Sequence, residues 1–136
     1  MCMDRLNYEV EFEPFTERHY IKKFRKQYKD RWSLTELAII SVCERIDNML
    51  QYKRADLIYE VEEYQLVKLD FAIDGSQTSP KKSGNRCILF VDNGASRLVK
   101  ILLVYSKNDI SEPNETQKWK TMVKNEYKEI AKIFNL

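Results

Sequence analysis

Residues 86–109, RCILFVDNGASRLVKILLVYSKND, constrain the fold more than any other stretch of this sequence. Residues 86–92 are rich in β-branched, aromatic and aliphatic types, Asp92, Asn93 and Gly94 supply turn chemistry, and residues 98–105 are almost wholly apolar. The pattern predicts a β-hairpin. A strand that is apolar on both faces has to be covered on both, so residues 98–105 are expected at the centre of a sheet. That strand runs out into Ser106, Lys107, Asn108 and Asp109. A central strand ending in polar and cationic side chains tends to present them at a sheet edge or cleft, so function is sought there.

The rest of the chain supplies layers for that sheet. Tyr8 to Glu13 alternates apolar and acidic residues and predicts a half-buried strand that Pro14 ends. Thr16 is expected to cap a helix to about Arg31, with Tyr20, Ile21, Phe24 and Tyr28 as one apolar stripe. Ser33 and Glu36 read as a capping box opening a second helix, which buries Ile39, Cys43, Ile46 and Leu50 and folds back across residues 30–32. A short strand at 57–61 and a longer one at 64–73 follow. Residues 74–85, DGSQTSPKKSGN, hold two of the three glycines and no large apolar side chain, and read as a mobile loop. Asn114 and Gln117 are expected to cap a last helix bearing Trp119, Met122, Val123, Tyr127, Ile130 and Phe134. The order strand, helical hairpin, strand meander, helix predicts an α+β fold with a mostly antiparallel sheet.

A chain of 136 residues, 43% hydrophobic and 32% charged, is long enough for one core and is expected to form a single domain over residues 1–136. No apolar run reaches the length of a membrane span and the N-terminus has no apolar signal region, so the expected address is cytoplasmic. Cys2, Cys43 and Cys87 are far apart, without CxxC or a paired histidine, which points to reduced thiols and to neither a disulfide framework nor a metal site. There is no GxxxxGK[ST], GxGxxG, HExxH or GxSxG, which argues against nucleotide-dependent and triad chemistry; no cofactor is expected.

Charge is unevenly spread behind a net of +2. Residues 17–31 carry seven cations (Arg18, Lys22, Lys23, Arg25, Lys26, Lys29, Arg31) against Glu17 and Asp30, and residues 36–64 reverse the balance. A basic helix is a footprint for phosphates or an acidic partner, and Lys22, Lys23 and Lys26 are the candidate RNA-binding residues on it. A solvated helix face has the same composition. Both readings stand at this level.

The order of elements, with LVKLDF, NRCILFVDNG and KILLVYSKNDISEPNE, resembles the RelE/ParE superfamily of bacterial toxins, nearest its HigB-like branch. The resemblance implies a RelE-like fold and a toxin of a toxin–antitoxin system: a metal-independent mRNA endoribonuclease, associated with the ribosome and silenced by a cognate antitoxin protein. Such cleavage needs a base for the 2′-hydroxyl, cations for the phosphorane and an acid for the 5′-oxygen. By resemblance, Arg86 matches the family's strand-opening arginine and would grip the scissile phosphate. Lys107 lies near the cation that follows the family's last strand, Lys81 and Lys82 fall in the preceding loop, and Lys68 matches the basic position of the earlier strand. Tyr105 could stack on a base or donate a proton, or be a buried core residue. The alternative for Arg86 is a surface ion pair with Asp92 or Asp109.

The sequence departs from the family in its longer loop at 74–85 and in having no histidine after the last strand; His19 lies in the basic helix instead. A ParE-like toxin that poisons DNA gyrase, or a non-catalytic RNA- or protein-binding module, would be equally small and basic. An antitoxin is expected to cover a cleft between the sheet and the last helix, using Trp119 or Tyr127 if the sheet does not bury them.

Overall fold

Leu98–Tyr105, the apolar strand, lies inside a five-stranded sheet, and its composition explains why: both of its faces are covered. The structure, a computed structural model, describes residues 7–110 and 113–136. Its strands are β1 (Glu9–Phe12), β2 (Asp56–Val61), β3 (Tyr64–Phe71), β4 (Asn85–Asp92) and β5 (Leu98–Tyr105), in the order β1-β5-β4-β3-β2. Four strands form an antiparallel meander, and β1 joins β5 in parallel, Glu9 opposite Leu98 and Phe12 opposite Ile101. Gly94 N–H donates to Asp92 Oδ1 at 3.0 Å and begins the turn between β4 and β5.

The N-terminal helices cover one face of the sheet. Helix α1 (14–28) begins at Pro14 and contains a π-helical segment, Glu17–Ile21. Helix α2 (Asp30–Glu44) and the short α3 (Ile46–Gln51) follow. Trp32 is fully buried, stacked on Phe24 at 4.8 Å between ring centroids and edge-on to Phe71. Ile21, Phe24, Ile39, Cys43 and Ile46 pack there against Val67, Leu69, Leu89, Val99 and Ile101. The opposite face carries α5 (Glu115–Glu126) and α6 (Lys128–Phe134), with Trp119, Val123 and Phe134 against Leu66, Ile88, Phe90 and Leu102. No helix among the described residues is long and apolar enough to cross a membrane.

Several local expectations need correction. Thr16 lies inside α1 and caps no helix; its Oγ1 accepts the Val104 N–H at 3.0 Å, serving β5 where β1 has ended. The apolar stripe of α1 is split, because the π-helical segment sends Tyr20 to the far core while Ile21 and Phe24 stay in the near one. Ser33 is not a cap, since α2 has already begun at Asp30, and Glu36 accepts the Trp32 indole N–H at 2.9 Å. The reversal between the helices falls at Lys29, at φ 51°, rather than across 30–32. Asn114 precedes α5 in a left-handed conformation without a side-chain cap, and the last helix is broken at Tyr127.

The segment 74–85 is tethered, not a free loop. It contains a helical turn, α4 (Pro80–Ser83). Asp74 N–H donates to Thr35 Oγ1 at 2.8 Å, and Ser83 Oγ donates to the Phe71 carbonyl at 2.6 Å. Cys43 and Cys87 are buried free thiols, and burial pushes the Cys43 thiol up to about 12; Cys2 lies outside the described residues.

Candidate functional site

Arg86, the second residue of β4, stands opposite Asp70 on β3 and Tyr105 on β5. All three reach the face covered by α5. For Tyr105 this depends on an irregularity: Ile88 pairs with Leu103 but Leu89 pairs with Ile101, so Leu102 is an extra residue in β5. Strict alternation would place Tyr105 with Val99 and Ile101, and the bulge turns it to the other side.

Arg86 Nε donates to Asp70 Oδ1 at 3.0 Å and Nη1 donates to Glu115 Oε1. Glu115, the first residue of α5, takes the Tyr105 hydroxyl on its other oxygen at 2.7 Å. Its carboxylate is buried. Burial alone would raise its pKa, but the hydrogen bonds from Arg86 and Tyr105, with the charges of Arg86 and Lys68, outweigh that and hold it below the usual carboxylate range. The Glu115 bond, against the opposing effect of burial, raises Arg86; burial and then Glu115 raise the Tyr105 hydroxyl. Arg86 thus faces two carboxylates that are neither Asp92 nor Asp109, and Tyr105 is fully buried. Among the described residues Nη2 is the guanidinium nitrogen without a hydrogen bond.

Lys81 and Lys107 do not gather around Arg86; they line two separate clefts. Lys107 lies past the end of β5 in a polar cleft of about 210 Å³, shared with Lys23, Gln27, Asn85 and Asn108. Gly84 packs on its stem: at φ +77°, a Cβ there would stand 3.0 Å from Lys107 Cβ and Cδ. Lys23 reaches Asp109 at 3.3 Å, an exposed ion pair of little energetic weight. Lys82 is exposed on α4; Lys81 borders a larger groove along the outer edge of β3, and Lys68 borders it too while standing near enough to Glu115 for its charge to act there. Lys22 and Lys26 are exposed on α1. His19 is exposed too, stacked on Phe15 at 4.3 Å.

Trp119 is not available to a partner, and the Tyr127 hydroxyl is already committed within the chain. Trp119 is buried, and Tyr127 is half-buried with its hydroxyl donated to the Leu102 carbonyl at 2.7 Å. The residues that sequence reasoning missed are Glu115, Asp70 and Gly84. A carboxylate opening a helix is an ordinary sight in a sequence, and only the fold shows that it meets Arg86 and Tyr105.

No protein-family model matches the chain, and no curated protein does. Among solved structures, the chain is similar to the archaeal RelE–RelB complex from Pyrococcus horikoshii OT3, with TM-score 0.50 and 14% identity over 75% of this chain and 97% of that one. At that identity the likeness concerns architecture alone, and it agrees with the mixed sheet and its helical layers: the fold is RelE-like.

Proposed function

We propose that this chain is the toxin of a toxin–antitoxin pair and acts as a metal-independent endoribonuclease on mRNA at the ribosome, held silent by an antitoxin. The observation that carries the reading is the supply of cations, on a RelE-like fold, where β4 starts and β5 ends: Lys82 and Lys107 exposed, Lys23 beside Lys107 in the cleft lined by Asn85, and Arg86, the next residue of β4, turned to the α5 face with Nη2 unbonded. Phosphates position a nucleic-acid strand on such a surface, and a guanidinium held by two carboxylates has a fixed direction in which to donate. The solved neighbour is a complex of RelE with RelB, which supports a protein partner here. The HigB-like branch remains part of this proposal on the motifs around Arg86 and Lys107.

A second reading has its own observation. Tyr105 is buried with its hydroxyl committed to Glu115, and Arg86 is already offset by Asp70 and Glu115, which suits a structural cluster better than acid–base work. A non-catalytic toxin of the gyrase-poisoning kind, or a module that only binds RNA or protein, would keep this cluster intact.

The test is induction of the chain in bacteria, with mapping of mRNA 5′ ends and assay of gyrase cleavage complexes from the same cultures. Ribosome-dependent new 5′ ends, lost in Lys82→Gln/Lys107→Gln, are expected. Intact mRNA alongside trapped gyrase would replace the ribonuclease with the second reading.

A further inference from the structure

The outer edge of β3 is only partly covered. β2 runs beside it from Val61, opposite Tyr64, to Asp56, opposite Lys68, and β3 continues bare to Phe71. Successive residues of a strand turn their N–H and C=O to opposite sides. The Phe71 carbonyl is taken by Ser83 on the β4 side, so the main-chain groups of Asp70 turn outward, where no strand pairs with them among the described residues, and Ala72, just past the end of β3, borders the same open edge. Such an edge is a template for another strand.

Beside it lies a groove of about 700 Å³ between the bare edge and α2. Ile39, Val42, Met49, Leu69 and Phe71 give it an apolar lining, and Lys53, Arg54, Lys68 and Lys81 stand around it. None of these four cations has an ion-pair partner among the described residues. Of the two acids in the lining, Asp70 is already bound to Arg86. The apolar surface continues outward along α2: Leu34, one turn before Ala38 of the groove, is 53% exposed and Leu37 is 63% exposed. A nucleic-acid strand would use the cations, yet it would satisfy neither a leucine-flanked trough nor a strand edge.

The geometry points to this edge and groove as the docking site for an extended, acidic segment of a partner protein, added beside residues 69–72 as a sixth strand. Its main chain pairs with Asp70 and Ala72, alternate apolar side chains enter the groove, and Asp or Glu residues meet Lys53, Arg54, Lys68 and Lys81. Such a site lies apart from Lys82 and Lys107 and stands whether or not the chain cleaves RNA.

The full chain is panned against a random peptide library displayed on phage, and the selected peptides are synthesised. Sequences alternating apolar residues with Asp or Glu are expected. N-methylation at the residues that face β3 should weaken binding about tenfold, the worth of one or two main-chain hydrogen bonds, while N-methylation in the other register is tolerated. Lys53→Glu/Lys81→Glu should weaken binding similarly; because the methylated peptides leave the protein untouched, a poorly folded variant cannot decide the matter. No enrichment, peptides without acids, or indifference to N-methylation in either register would overturn the docking site. Single-stranded poly(U) serves as the competitor: if it displaces the peptides and its own binding is lost in the double variant, the groove belongs to nucleic acid instead.

Discussion

Glu115 shows how one side chain can tie three elements together. It joins the start of α5 to β4 through Arg86 and to β5 through Tyr105, at the cost of a buried carboxylate. Its pKa in the folded chain lies below the unfolded value, so its contribution is fully present above the unfolded carboxylate pKa, about 4.3, and is lost as pH falls through the lower folded value. Glu115→Gln should therefore cost about 2–4 kcal/mol at neutral pH, since it leaves Arg86 with one carboxylate in a partly buried site. The difference from the parent chain should shrink steadily in urea titrations taken below pH 4. A constant difference down to pH 2 would show that the charge of Glu115 is irrelevant to stability. Gly84 is the other exacting residue. Gly84→Ala meets both the left-handed φ and the Lys107 stem, so a loss of about 1–2 kcal/mol is expected from the conformation alone, with displaced Lys107 resonances in NMR spectra.

Among the elements, α1 and α2 both reach beyond their own ends to finish something the sheet leaves open. β1 pairs with β5 only as far as Ile101, and Thr16 then supplies the acceptor for Val104 N–H from inside α1. Thr16→Val keeps the shape and removes that acceptor from a fully buried site, so it should cost about 1–3 kcal/mol and speed hydrogen exchange at Val104 in particular. Thr35 of α2 plays the corresponding part for the segment 74–85 by accepting Asp74 N–H. In Thr35→Val the segment should become the first site of limited proteolysis; a digestion pattern identical to that of the parent would mean that Ser83 alone secures it.

On the scale of the whole molecule, the sheet divides two cores that share its strands. Trp32 sits in one and Trp119 in the other, both buried to within 1%. Because β3, β4 and β5 contribute side chains to both, neither core survives alone, and the chain should unfold as one cooperative unit. Variants that keep one tryptophan, Trp32→Phe and Trp119→Phe, should show coincident urea midpoints once each is corrected for its own loss of stability. Midpoints that stay apart would mean that α5 and α6 detach as a separate layer, which is also the event that would free Trp119 for a partner.

The strands and the main helices were legible from local chemistry, though not the turn at Pro80–Ser83 or the break at Tyr127. Alternation at 8–13, the apolar run at 98–105 with its Asp-Asn-Gly turn, and the aromatic spacing from Trp119 to Phe134 dictate strand, hairpin and helix wherever they are placed, because period and turn geometry are properties of neighbouring residues. The α+β class followed from their order, and the RelE-like arrangement from a resemblance that the order shares with the motifs LVKLDF, NRCILFVDNG and KILLVYSKNDISEPNE. What surrounds each cation did not follow. Whether Arg86 faces solvent or two carboxylates depends on Asp70 and Glu115, sixteen and twenty-nine residues away. The face on which Tyr105 lies is set by one extra residue in β5, a pairing decision taken against β4, and Lys68, Lys81 and Lys107 part company because β3 and α4 divide two clefts. A residue's type and spacing determine the element it joins; its charge environment is the sum of contacts from elsewhere in the chain, and only the tertiary structure supplies those.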